Sequence, residues 1–364
     1  MGGASLPFTR GLRGYPSLML LSRSRNGVVV ELNPFRVLMA RLSRLGGTTA
    51  NLEDVAEVAA DDRDALEREL HRLFPDQKGY TPGICGVFTP TRLLQREELN
   101  VKRLAEPDYL PSLISDQYKV EAAKWQLVLV NPYEGYPFDD KHPPIKEVLI
   151  CGESREELMA AQRRLLDLGV LPRRMEVASL PVLGAIQSYQ ALNAEGQPAA
   201  VVELDLHRTR VFILGKNGVN TPAPIEFGFE ALVDTARKEL GDADVATVRA
   251  RLLAADADLV TRAPRLLRPL IRNLKPAIDY FELQTGQRVN DLYCTFLPPN
   301  LDWLSQALAT ALEMRVLAID CAKWLDALRI TVADGVPTRL GPHWLSLLSL
   351  VAPLSPASYA KKVE

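Results

Sequence analysis

The sequence predicts an α/β chain of two lobes, and three observations carry that reading. A hairpin-first pattern, followed by alternating helices and strands, occurs twice. A compact α+β stretch interrupts the first of the two. The chain's 364 residues, 47% apolar and 24% charged, are enough to bury more than one core.

The elements follow in order. Val28 to Leu32 is rich in β-branched residues and comes after Asn26-Gly27, a pair that tolerates the positive φ of a tight turn, with Leu18 to Leu21 as the expected preceding strand. Val37 to Leu45 reads as a third strand. Residues 51 to 73 place Val55, Val58, Leu66, Leu70 and Leu73 at helical spacing and read as an amphipathic helix region. Pro75 to Pro82 reads as a boundary. Then come a strand (Ile84 to Phe88), a helix (Ser112 to Lys124), a strand (Gln126 to Asn131), a loop rich in Pro and Tyr through Pro144, a strand (Ile145 to Cys151) and a helix (Arg155 to Leu168), the order of a small α+β domain.

The second half opens after Gly196-Gln197-Pro198 with strands at Ala200 to Leu206, Arg210 to Leu214 and Thr221 to Phe227, the last two joined by a turn at Gly215 to Gly218. A helix from Glu230 to Leu240 follows, then a loop carrying Asp242, Asp244, Asp256 and Asp258, and a long helix from Leu266 to Thr285. A buried strand (Asp291 to Phe296), a helix (Asp302 to Leu312) and a strand (Arg315 to Ala318) complete it.

Composition excludes several function classes. Lys and Arg number 43 against 45 Asp and Glu, a net charge of -2, too balanced for a protein that lives on phosphate backbones, so nucleic acid is not expected as a partner. The longest uncharged apolar run, Trp344 to Leu354, is interrupted by serines and far short of the roughly 20 residues of a membrane span. Arg10 and Arg13 precede only Leu18 to Leu21, too short for a signal peptide's apolar region, and a cytoplasmic location is the expectation. Cys85, Cys151, Cys294 and Cys321 form no CxxC pair and read as free buried thiols. His71, His142, His207 and His343 are scattered and read as structural.

Three local motifs resolve to structural roles. Gly152-Glu153-Ser154-Arg155-Glu156 sits between a strand and a helix, but Glu156 replaces the second glycine of a nucleophile elbow, and Ser154 with Glu157 spells a capping box. Gly215-Lys216-Asn217 lacks the Ser/Thr of a Walker loop, and Arg210 stands where its leading glycine belongs, which leaves a hairpin turn. Arg262, Arg265, Arg268, Arg272 and Lys275 form one basic helical stripe opposite Leu266, Leu267, Leu270, Ile271 and Leu274, a solvated face or a route to anionic lipid.

Further stretches resemble a known family. Leu168 to Val177 (LGVLPRRMEV), Ile225-Glu226-Phe227-Gly228 before an amphipathic helix, and Ile278 to Gly286 (IDYFELQTG) followed by Asp291-Leu292-Tyr293 are similar to segments of the PilM family, the actin-like cytoplasmic proteins of type IV pilus assembly, related to FtsA and to the cytoplasmic part of GspL in type II secretion. The likeness spans about residues 16 to 354. It implies an actin-like (ribonuclease H-like) two-lobed fold with an inserted α+β subdomain. The first lobe would take 1–77, completed by 172–196 and 338–364, the insertion 78–171, and the second lobe 197–337.

The same resemblance implies three nucleotide loops in which glycines admit backbone amides to phosphate and an aspartate holds magnesium. Here Leu21 stands at the aspartate and Arg23 at the glycine of the first, Glu203-Leu204-Asp205 replaces D-I-G in the second, and Thr295-Phe296-Leu297-Pro298-Pro299 replaces the glycine run of the third. The expectation is a pseudo-ATPase with a vestigial cleft at Leu21, Arg23, Glu203, Asp205 and Phe296, no catalytic residue, no metal ligand and no cofactor. The resemblance further implies a scaffold that docks the short cytoplasmic peptide of a single-span inner-membrane protein and meets the membrane only through it. The loop from Asn131 to Pro144, with Tyr133, Tyr136 and Phe138, reads either as a partner contact or as a cover for its own subdomain. The alternatives, a sugar or acyl kinase using Glu203 or Asp205 as base or metal ligand, or a nucleotide-switched cytoskeletal protein, both require ATP with magnesium.

Overall fold

The structure is a computed structural model that describes residues 26–45, 49–76, 78–139, 142–192, 196–241, 244–295, 297–298 and 300–352. Leu18 to Leu21, Arg23, Asp242, Phe296 and Pro299 lie outside the described residues.

The chain opens with β1 (Asn26–Leu32), β2 (Arg36–Leu45) and β3 (Thr49–Ala59), an antiparallel meander. Asn26 and Gly27 are not a turn: they pair with Ser43 and Leu42, and the first hairpin turns instead at Asn33-Pro34-Phe35. The segment expected to be helical from 51 is strand as far as Ala59. A β-bulge shifts the register between Arg41 and Leu42, where Arg41 faces Asp54 and Leu42 faces Leu52. The extra residue breaks the period of two and leaves Leu52, Val55 and Val58 at a spacing that imitates a helix. The helix itself, α1 (Arg63–Leu73), starts at Asp62, whose carboxylate accepts from the Ala65 amide.

β4 (Thr81–Val87) runs parallel to β1 in the same sheet. The chain then leaves that sheet. β5 (Leu93–Glu98), α2 (Tyr109–Tyr118), β6 (Trp125–Val130) and β7 (Glu147–Ser154) build a separate three-stranded sheet of order β5-β7-β6, backed by a cluster that includes Leu93, Leu104, Leu110, Ile114, Phe138 and Ile150. α3 (Arg155–Asp167) returns to the first sheet by packing Leu165 with Leu66 and Leu73 of α1, and β8 (Val170–Val177) pairs parallel to β4. The segment 78–171 therefore contains elements of two sheets: β4, α3 and the start of β8 lie with β1, while β5 to β7 stand apart.

After α4 (Ser179–Leu192) come β9 (Ala199–Leu204), β10 (Thr209–Gly215) and the short β11 (Gly218–Asn220), again an antiparallel meander. The strand expected over Thr221 to Phe227 is reduced to one bridge between Thr209 and Ile225. α5 (Phe229–Glu239) follows, and the aspartate-bearing loop holds two helices, α6 (Val245–Leu253) and α7 (Ala257–Thr261), capped by the carboxylates of Asp244 and Asp256. α8 (Ala263–Leu266) precedes the long α9 (Arg268–Thr285), which ends on Gly286 at φ 65°. β12 (Asp291–Thr295), α10 (Asp302–Ala311) and β13 (Arg315–Val316) finish the second sheet, order β11-β10-β9-β12-β13.

The chain goes back to the first sheet earlier than residue 338. α11 (Cys321–Ala327) buries Trp324 and Leu325 in the first-lobe core, β14 (Thr331–Val332) pairs with β3, and α12 (Leu345–Val351) packs under β1 and against α4. Apart from β14, the two large sheets have one topology: a meander of three strands, whose first strand is flanked by two parallel strands reached through helices.

Candidate functional site: a sealed cleft between the lobes

The repeated topology puts β1 and β9 at equivalent places, and their sequences agree. Val29, Glu31 and Asn33 face the core shared by the lobes, as do Val201, Glu203 and Asp205, while Val28, Val30 and Leu32, like Ala200, Val202 and Leu204, face the outer helices. Alternation along a strand fixes this: an acid two residues after an inward valine must also point inward. The first-lobe counterparts of Glu203 and Asp205 are thus Glu31 and Asn33, a pair the sequence reading missed by placing the first hairpin at Leu21 and Arg23.

Glu203 and Asp205 are 0% and 4% exposed, a burial that charged groups tolerate only when paired. The partners are Arg92, from the connection between β4 and β5, and Arg210 of β10. Arg92 Nη2 lies 3.0 Å from Glu203 Oε2 and Nη1 lies 3.2 Å from Asp205 Oδ2, while Nε donates to Ser179 Oγ at 3.2 Å and Nη1 also donates to the Thr89 carbonyl. Ser179 Oγ donates in turn to Glu203 Oε2 at 2.9 Å. Arg210 Nη1 stands 3.3 Å from Asp205 Oδ2, and its Nη2 donates to the Pro90 carbonyl at 2.6 Å. Two guanidinium groups and two carboxylates balance in charge. Burial, aided by the nearby charge of Arg92, lowers the Arg210 pKa to about 10, so the group stays cationic at neutral pH.

Glu153 borders the cluster: burial pushes its carboxyl above the ordinary range, against hydrogen bonds from Thr91 Oγ1 and the Ser154 amide. In the first lobe, burial likewise raises Glu31, opposed by Ser346, by Asn33 and by the charge of Arg36.

Backbone amides at both hairpin turns bond within the protein. Asn33 Oδ1 accepts from the amides of Phe35 and Arg36, at 2.9 Å each. In the second lobe the Asp205 amide donates to the Arg208 carbonyl, and the first amides of α5, those of Phe229 and Glu230, donate to the carbonyls of Asp205 and Leu206 at 2.9 Å. Gly228 makes that approach possible, since a Cβ there would meet the His207 backbone at 2.5 Å. The Ile225 to Gly228 stretch is therefore a crossing of the chain over its own hairpin. Thr295 pairs in register with Glu203, and Leu297 beyond it is buried. Among the described residues no group of three or more His, Cys, Asp or Glu is placed to hold a metal ion.

The other motifs singled out in the sequence fall outside this site. Ser154 Oγ accepts from the Glu157 amide at 3.1 Å, as a cap does, and Gly215 pairs with Gly218 in a hairpin. The four cysteines are free, with Cys85, Cys151 and Cys321 buried. In the 131–144 loop, Phe138 is buried edge-on to Tyr136, and Tyr133 lies under the Arg96 guanidinium at 5.2 Å. That arginine donates to the carbonyls of Asn217 and Val219, so the loop clasps the second lobe at β11.

No family model matches the sequence, and no curated protein matches it. Solved structures do. The chain is similar to one from the PilM-PilN type IV pilus biogenesis complex, with a TM-score of 0.65 over 91% of this chain and 99% of that one, at 11% identity. More distant likenesses include the ethanolamine utilization protein EutJ from Carboxydothermus hydrogenoformans (TM-score 0.42, 9% identity, 90% of this chain and 89% of that one) and a ROK family glucokinase from Streptomyces griseus (0.38, 11%, 91% and 99%). At these identities the comparison speaks for the fold: this chain has the two-lobed, actin-like α/β fold, and in it resembles PilM.

Proposed function

We propose that this protein is a non-catalytic scaffold of a pilus or type II-like secretion assembly, and that it works without nucleotide. The observation that carries the reading is the buried quartet of Arg92, Arg210, Glu203 and Asp205 between the lobes. An acid acting as general base or magnesium ligand must be free to meet substrate or metal, and here both acids are neutralised by guanidinium groups from their own chain. The amides of Phe35 and Arg36 are spent on Asn33 and those of Phe229 and Glu230 on the Asp205 and Leu206 carbonyls, which supports the reading that the cleft is not built for a magnesium nucleotide.

The likeness to the PilM-PilN complex supports a docking role, in which the short cytoplasmic peptide of a single-span membrane partner brings the protein to the inner membrane. Among the described residues no helix is long and apolar enough to cross a bilayer. On this reading the inserted unit is the sheet of β5 to β7 with α2.

Calorimetric titration with magnesium ATP at millimolar concentration, paired with a thermal melt, tests the proposal. A ligand selective for the folded state must raise the melting temperature by mass action. We expect neither heat nor a shift; saturable binding with a raised melting temperature would instead support the kinase or cytoskeletal alternative.

A further inference from the structure

Several helical arginines of this protein pair with a neighbouring acid. Arg63 meets Glu67 at 3.0 Å, Arg103 meets Glu106 at 2.9 Å, Arg249 meets Glu230 at 2.8 Å, and Arg262 meets Asp258 at 2.9 Å. Arg68 and Arg163 have no acid within ion-pair distance among the described residues, and α9 carries two such arginines one turn apart. Arg268 and Arg272 are exposed and have no acid within ion-pair distance among the described residues, and Arg265, just before the helix, reaches Glu239 only at 4.0 Å with 76% of its side chain exposed. Lys275 is the exception, held to Asp279 at 3.3 Å.

The same helix carries the two most exposed large apolar side chains of the described residues, Leu283 at 84% and Tyr280 at 61%. Steps of three and four connect Arg265, Arg268 and Arg272 through Pro276 to Tyr280 and Leu283, so they lie along one stripe. Behind it Leu270, Leu274, Ile278 and Phe281 are buried, which holds the stripe rigid and outward. A helical segment of this length extends about 27 Å. Unpaired arginines and exposed apolar side chains also occur elsewhere, Arg68, Arg163, Tyr80 and Leu192 among them, but on α9 the two kinds share a single line.

We propose that this stripe lies on an anionic lipid bilayer. Its chemistry selects that occupant. One flank of α9, at Lys275, Ile278, Asp279 and Glu282, borders a pocket with Arg288 and Met314, but the unpaired arginines, Tyr280 and Leu283 lie outside its lining. Charge and apolar surface in that order match a bilayer: Arg265, Arg268 and Arg272 meet headgroup phosphates, Tyr280 sits at the headgroup level, and Leu283 enters the acyl boundary. The contact is weak and salt-sensitive, because a few surface charges and one leucine supply it. It is a direct membrane contact of this chain, added to any that a partner supplies, and does not depend on the scaffold reading above.

Co-sedimentation of the purified full chain with phosphatidylcholine vesicles, with and without about a third phosphatidylserine, tests the proposal in the absence of any partner protein. The expected result is binding at low salt to the anionic vesicles only. It should fall at least about tenfold in the double variant R268E/R272E, consistent with the contribution of each basic residue near such a surface. Leu283→Ser should weaken it severalfold, and both variants should melt as the parent does, since the altered side chains are exposed. No binding to anionic vesicles at low salt, equal binding to neutral vesicles, or binding unchanged by R268E/R272E would overturn the proposal.

Discussion

Arg92 and Glu203 stand 111 positions apart and meet at 3.0 Å in a site where neither side chain is more than 1% exposed. One comes from the connection that leaves the first-lobe sheet, the other from the first strand of the second. Removing the arginine leaves Glu203 with Ser179 alone and Asp205 with Arg210 and the Leu206 amide. Breaking a buried ion pair from one side costs about 3–5 kcal/mol, because the remaining charge stays buried without its counterpart. Urea denaturation of Arg92→Ala should show a loss of that size. Arg92→Lys should recover only part, since an ammonium cannot reproduce the fork that spans both carboxylates and the Thr89 carbonyl. A loss under about 1 kcal/mol for the alanine variant would mean that water or a relaxed cleft takes over the role.

Glu57 sets a pH window. Burial works to raise its carboxyl, but hydrogen bonds from His343 Nε2 at 3.0 Å and Arg36 Nη1 at 2.9 Å outweigh it and hold the pKa at about 2, below the ordinary 4.5. A group with a depressed native pKa adds stability that is complete above its unfolded value and is lost as the pH falls through its native one. Stability should therefore drop between pH 4.5 and about 2, and Glu57→Gln should flatten that part of the profile. Glu31 has the opposite sign: its raised pKa means that protonation in acid relieves a cost of burial. Its contribution should be separable as a gain in Glu31→Gln at neutral pH, measured by urea denaturation.

Ser154 is a cap and not a nucleophile. Ser154→Ala should cost about 1 kcal/mol by freeing the Glu157 amide at the start of α3, and Ser154→Asp should restore most of it. A serine-directed phosphonate probe should leave the protein unlabelled. Labelling lost in Ser154→Ala would revive the hydrolase reading.

What the sequence made legible was whatever local chemistry writes alone. The Ser154 cap, the Gly215 to Gly218 hairpin and the strand pair it closes are fixed by neighbours in the chain, and the resemblance supplied the order in which the elements assemble. The bulge opposite Arg41 and Leu42 was not legible, because one extra residue converts a strand's period into a helix's. The first hairpin was misread by a turn signal at Asn26-Gly27 that the sheet overrides. Glu203 and Asp205 could be singled out, yet Arg92 could not: it lies in an ordinary loop sequence, and its role comes from tertiary pairing across the lobes. The signal that was available is the parallel between Val30-Glu31-Leu32-Asn33 and Val202-Glu203-Leu204-Asp205, an internal repeat that locates both inward acids at once.

The clasp between the insertion and the second lobe rests on a glycine. Gly218 sits at φ 79°, and a Cβ there would fall 2.3 Å from the Pro132 carbonyl oxygen, which also accepts the Val219 amide at 3.0 Å. Gly218→Ala carries two costs: the left-handed backbone, which disfavours any Cβ, and a collision with backbone that cannot swing away. Gly79 separates the two, for it has φ 90° with nothing within 4 Å of the same atom. Gly79→Ala should show the conformational cost alone, about 1–3 kcal/mol, and Gly218→Ala should exceed it. The excess should appear locally as well. Displacing the 131–138 loop frees the Val219 amide, so hydrogen exchange at that position should accelerate in Gly218→Ala and stay at the parental rate in Gly79→Ala. Equal costs and unchanged exchange at Val219 would mean that the 131–138 loop does not bear on β11 in solution, and that Arg96, with its bonds to the Asn217 and Val219 carbonyls, is left to hold the insertion to the second lobe.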